Sequence, residues 1–158
     1  HKVLPDALEL EITETTLMAD PKRTIEQLKE LPHIGLHLAI DDFGIGYSSL
    51  NYLSRFPINA LKIDRSFINL MTDDPNHMKI VQAIVRLSHG LGMDVVAEGV
   101  ETEGQWESLK ELECEYMQGA LVSMPVDVDT VRTSMKFPRQ DAKLFHWGKG
   151  GIKPFKKK

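Results

Sequence analysis

The chain holds a single cysteine, Cys114, in 158 residues. No internal disulfide can form, so nothing is gained from an oxidising compartment, and the expectation is a reducing, cytoplasmic setting. Set in Leu-Glu-Cys-Glu-Tyr, Cys114 reads as a packing residue and not as a nucleophile. Apolar runs are short, none approaching the roughly 18 residues of a membrane span. The first residues, His-Lys-Val-Leu-Pro-Asp, lack the charged start, apolar middle and small-residue cleavage site of a signal peptide. Paired metal-binding histidines are missing too: His33, His37, His77 and His89 stand at no ligand spacing from one another or from Cys114, which argues against zinc. A general excess of positive charge is also absent, the net charge being -4.

That charge hides two opposed regions. Residues 1–135 carry 22 acids and 11 bases, whereas the stretch from Lys136 onward carries 1 acid and 8 bases. An acidic body argues against general nucleic-acid binding and is what carboxylates gathered around divalent cations leave when the metal is not counted. The basic end, residues 136–158, is rich in Gly, Pro and Lys and is expected to be a disordered or appended tail.

Within the body, short apolar, β-branched runs alternate with segments of helical period about five times, the pattern of β/α units around a parallel sheet. The predicted strands are Ala7 to Thr13, Leu36 to Asp41, Ala60 to Asp64, Asp94 to Glu98 and Tyr116 to Gln118. Helices are predicted over Pro21 to Leu31, with Asp20 as N-cap, and over Asn76 to Leu91, closed by Gly92. Shorter ones are expected at Ser48 to Arg55, Glu103 to Leu112 and Asp127 to Met135.

In parallel β/α folds the C-terminal strand ends and the loops after them build the site. Glu11, Glu14, Asp41, Asp42, Lys62, Asp64, Glu98, Glu101 and Gln118 all fall at such ends. One acid there is ordinarily a helix cap. Several acids converging with one lysine repel one another unless cations neutralise them, and hard oxygen ligands without Cys or His favour Mg²⁺ or Mn²⁺.

Five segments, Glu9-Leu-Glu-Ile-Thr-Glu14, Asp41-Asp-Phe-Gly-Ile-Gly-Tyr-Ser-Ser-Leu50, Leu61-Lys-Ile-Asp-Arg-Ser-Phe67, Val96-Ala-Glu-Gly-Val-Glu-Thr102 and Gln118-Gly119, resemble the EAL family of bacterial cyclic di-GMP phosphodiesterases in the family's own order. The resemblance covers about residues 1–130. It implies a modified (β/α)8 TIM-like barrel and metal-dependent hydrolysis of cyclic di-GMP to linear pGpG. By the same resemblance Glu11 and Asp41 are ligands of a first metal, and Asp41, Asp42 and Glu98 hold a second, with Asp41 bridging. Lys62 orients the attacking water, Gln118 contacts the water or the substrate, and Asp64 and Glu101 contact the guanine edge or support the ligands. Glu14 is expected to pin the loop that follows Asp42.

The sequence departs from the family in several places. The family's Glu-Ala-Leu triplet and a later asparagine ligand do not occur, so the expectation is the C-terminal part of an EAL domain over residues 1–135. A complete (β/α)8 barrel takes about 250 residues. Five units form a partial barrel that is expected to hydrolyse little alone and to meet either another copy or the missing N-terminal barrel half along its open edge. Ile45, Ala120 and Val122 stand where the family often has threonine and aromatic residues. The alternative is a non-catalytic truncated module that binds cyclic di-GMP or a protein partner.

Overall fold

The computed structural model describes residues 3–46 and 49–136, the last three through their backbone alone. Five strands, β1 (Glu9–Thr13), β2 (His37–Phe43), β3 (Ala60–Ile63), β4 (Asp94–Glu98) and β5 (Tyr116–Gln118), pair in chain order and all in parallel. Helices α1 (Glu14–Ala19) and α2 (Pro21–Leu28) follow β1, and α3 (Leu50–Leu53) follows β2. Next come α4 (Arg65–Leu70) and α5 (Pro75–Gly90) after β3, α6 (Glu103–Glu111) after β4 and α7 (Val128–Lys136) after β5. Sequential parallel strands joined by helical crossovers make a singly wound α/β sheet, the arrangement of consecutive units of a (β/α)8 barrel.

Strand alternation sorts the side chains between two faces. Leu38, Ile40, Leu61, Ile63, Val95 and Ala97 form one parity and are buried in a core with Leu17, Leu53, Ile68, Val81, Val85 and Leu109 from the helices. Burying each large side chain of this set stabilises by about 1.5–3 kcal/mol. The other parity holds Glu11, Asp41, Lys62 and Glu98, in register through Glu11 with Ala39, Ala39 with Ala60 and Lys62 with Val96. The apolar set fixes the register, because a slip of one residue would drive these charges into the core.

Helix starts follow their caps. Asp20 accepts from the Arg23 amide at 3.2 Å with Pro21 in the first turn, and Asp74 accepts from the Asn76 amide at 2.8 Å ahead of Pro75. The carboxylate of Asp127 likewise takes the amides of Asp129 and Thr130. Gly92, at φ 75°, ends the turn after α5. Strands β4 and β5 match the expected bounds, whereas β1 starts later because Pro5–Ala7 winds into a 3₁₀ turn. Helix α2 ends at Leu28, not Leu31, since Pro32 has no N–H to donate back and opens a second 3₁₀ turn. Helix α3 is shorter than Ser48 to Arg55, and Ser48 lies outside the described residues. Two helices have no counterpart in the sequence reading: α1 and α4, six residues each, spring directly from strand ends and are too short to show a helical period. Residues 137–158, most of the basic tail, lie outside the described residues.

Candidate active site

The site begins with an irregularity in β2. Ile40 pairs with Leu61 and Phe43 with Ile63, so two residues, Asp41 and Asp42, face the single residue Lys62. This is a β-bulge, and Asp42 adopts φ 54°, a left-handed conformation that aspartate accepts more readily than most residues. A regular strand would send neighbouring side chains to opposite faces. The bulge instead brings carboxylate oxygens of Asp41, Asp42 and Glu98 within 4.8 Å of one another, a grouping able to hold a metal ion.

Lys62 stands at the centre. Its Nζ lies 2.7 Å from Glu11 Oε1, 3.1 Å from Asp41 Oδ1 and 2.7 Å from Glu98 Oε1, joining three strands besides its own. Glu11 and Asp41 touch the same nitrogen, so their oxygens are no farther apart than those two contacts combined, close enough to serve one pair of ions. The lysine is only 6% exposed. Burial alone would lower its pKa, but the contacts with Glu11, Glu98 and Asp41 outweigh it and hold the ammonium above the ordinary lysine range. Asp41 Oδ1 is buried and, beyond that ion-pair contact, accepts no hydrogen bond. A buried carboxylate oxygen whose partner among the described residues is an ammonium shared with two other carboxylates keeps a lone pair to offer, and as a hard oxygen donor it fits a divalent cation. The donor set therefore suits a hard divalent cation.

The loop after β2 is held from the first residue of α1. Glu14, 2% exposed, accepts from the amides of Gly44 at 2.9 Å and Gly46 at 3.2 Å. Gly44 is at φ 104°, and a Cβ there would meet the Phe67 ring at 2.6 Å, so only glycine lets the loop lie so close to α4. Asp64 caps α4, accepting from the Ser66 amide at 2.9 Å. Its burial pushes the pKa up, but the Ser66 and Arg65 hydrogen bonds and the Arg65 charge prevail and hold the carboxyl below its usual value. Glu101 presents its side chain to solvent while its amide is held by Gln105. Gln118 ends β5 in register with Glu98. It also lines a cavity of about 590 Å³ that runs along the same side of the sheet past Val96, Tyr116 and Ala60. Cys114 is fully buried, its thiol pushed up to about 12 by burial and the adjacent Glu115, and it packs without taking part in the site.

One contributor is absent from the sequence reading. Gln105, 4% exposed, accepts from the amides of Glu101 at 2.8 Å and Thr102 at 2.9 Å and donates to the Ile68 carbonyl at 3.2 Å. Its only sequence signal is the Thr102-x-x-Gln105 spacing of a capping box at the start of α6.

A parallel sheet of consecutive β/α units whose C-terminal rim gathers carboxylates around one buried lysine has the layout of a β/α-barrel site. The chain belongs to the EAL domain family, whose model matches residues 1–125. The cyclic di-GMP phosphodiesterase NbdA of Pseudomonas aeruginosa is 47% identical over 135 residues, which are 85% of this chain and 17% of that protein. The solved PaMucR phosphodiesterase in complex with c-di-GMP superposes with a TM-score of 0.79 at 46% identity, covering 82% of this chain and 52% of that one. Klebsiella pneumoniae BlrP1 in a manganese and cy-diGMP complex gives a TM-score of 0.71 at 38% identity, over 78% of this chain and 31% of that one. The chain spans 16% to 31% of the length of the curated relatives it matches.

Proposed function

We propose that this chain carries the metal-binding and water-activating part of a cyclic di-GMP phosphodiesterase site. The observation that supports this most is the grouping of Asp41, Asp42 and Glu98 oxygens within 4.8 Å beside the buried Lys62. Glu11 and Asp41 are read as holding one divalent cation and Asp41, Asp42 and Glu98 a second, Mg²⁺ or Mn²⁺. A bound pair of such ions supplies a deprotonated water and offsets charge on the five-coordinate phosphorus. The protein residues do the rest. Lys62, held by three carboxylates, orients the nucleophile and opposes the developing negative charge from a fixed position. Gln118, at the junction of rim and cavity, offers amide contacts to water or substrate. Asp64 and Glu101 are read as contacting the guanine edge or supporting the ligands from farther out, Asp64 also fixing the start of α4.

The test uses the intact protein with cyclic di-GMP and Mn²⁺, reading pGpG formation beside metal titration by calorimetry. Lys62→Ala is expected to keep metal binding while lowering turnover by about 10²-fold or more. Asp41→Asn is expected to weaken both ions and to be more damaging than Asp64→Asn. Ca²⁺, with longer bonds and more ligands, is expected to inhibit by spreading the pair. A Lys62→Ala protein of undiminished turnover, or an Asp41→Asn protein that binds two ions normally, would overturn the roles assigned.

A further inference from the structure

The segment that carries Glu98 into α6, residues 98–102, is held on several sides. Gly99 sits at φ 71°, and a Cβ there would strike Arg65 Cβ at 2.6 Å, so the turn lies directly on the first residue of α4. The Val100 amide donates to the Gln118 carbonyl at 3.0 Å, and the Val100 carbonyl accepts from the Leu121 amide at 3.0 Å. Gly119 abuts Val100 so closely that a Cβ would lie 2.3 Å from its backbone nitrogen and oxygen. The remaining anchor is Gln105. Its Oε1 takes the amides of Glu101 and Thr102, and its Nε2 reaches the Ile68 carbonyl of α4, the helix that follows the strand of Lys62. A buried amide with both ends engaged ties the turn after β4 to the helix after β3, and so links the backbone beyond Glu98 to the backbone beyond Lys62. Outer hydrogen bonds of this kind fix the aim of a metal-binding group.

We infer that Gln105 is a positioning residue for Glu98: by bonding the amides of Glu101 and Thr102 and the carbonyl of Ile68 it holds the Glu98 carboxylate at the spacing from Asp41 and Asp42 that a divalent cation requires. This rests on the reading of Glu98 as a metal ligand. A helix cap alone would stabilise α6 without affecting metal affinity, and that difference is measurable.

The experiment titrates Mn²⁺ into the intact protein by calorimetry and records melting without metal. Gln105→Met keeps the length and apolar volume and removes every hydrogen bond of the amide. It is expected to weaken Mn²⁺ binding about 10-fold. Leu109→Ala, a cavity in the same helix, is expected to lower the melting temperature while leaving Mn²⁺ affinity unchanged. In a cycle with Glu98→Gln, the Gln105→Met and Glu98→Gln losses should not add, because both act on one carboxylate. Gln105→Asn, one methylene shorter, carries the same cycle if Gln105→Met fails to fold. Unchanged Mn²⁺ affinity in the Gln105 variant, or losses that add fully with Glu98→Gln, would overturn the inference. A wild-type protein that binds no Mn²⁺ would instead overturn the metal reading on which it rests.

Discussion

Lys62 shows how a residue drawn from a hydrophobic strand pattern becomes the centre of a charge network. Its three carboxylate partners differ in exposure, from Glu98 at 19% to Glu11 at 46%, so solvent screens the pairs unequally. Lys62→Met is expected to destabilise the metal-free protein by less than the roughly 3–5 kcal/mol of a fully buried broken pair, and added Mn²⁺ should raise the melting temperature more in this variant than in the wild type. Differential scanning with and without the ion checks this. Asp64 gives a second, cleaner case. Its folded pKa lies below the unfolded value of about 3.9, so its contribution is present above that pH and is lost as pH falls through the lower folded value. Asn caps a helix as well as Asp but carries no charge, so Asp64→Asn should keep the cap, lose the charge-dependent part of the stability near neutrality and flatten this part of the acid limb. Asp64→Ala should cost about 0.5–2 kcal/mol at neutral pH. Denaturant melts at several pH values separate the two.

At the scale of elements, the strands and the long helices were legible because each carries several residues of one period and an explicit cap, as Asp94 to Glu98 and the Asp74-Pro75 start of α5 do. The acids at strand ends were legible for the same reason. The joint aim of Asp41 and Asp42 was not, since alternation assigns neighbours to opposite faces and the bulge exists only through pairing with β3, a partner distant in sequence. Asp64 had the ordinary cap reading of a strand-end acid, but the helix it caps, α4, was too short to show a period. Gln105 stayed hidden because the same Thr-x-x-Gln spacing describes an ordinary helix start, and its tie to Ile68 depends on the packing of α6 beside α4. The junction of β4 and β5 yields a prediction of its own. Gly119→Ala would place a methyl against the Val100 backbone, where no flexible side chain can give way, and should cost about 1–3 kcal/mol or more. Urea unfolding of the variant measures it, and the loss should far exceed that of Gly90→Ala, whose added Cβ meets nothing.

For the molecule as a whole, the parallel sheet has two open sides among the described residues, along β1 and along β5. Val3, Leu4, Leu8 and Leu10 are exposed in and just before β1, beside a row of unpaired backbone groups. Such an edge invites another strand, so the 158-residue chain on its own is expected to self-associate with rising concentration, read by light scattering, and a monodisperse monomer at high concentration would contradict this. The bulge in β2 also decides what kinds of sequence change the molecule can absorb. Turns at the opposite end of the sheet, such as the one through Gly92, can lengthen without disturbing the rim. Between Ile40 and Phe43 the spacing is itself part of the site: deleting one residue would restore strict alternation, keep Phe43 beside Ile63 and leave a single aspartate opposite Lys62 where there are now two. In that short stretch the number of residues counts as well as their identity, because it sets how many carboxylates face the lysine.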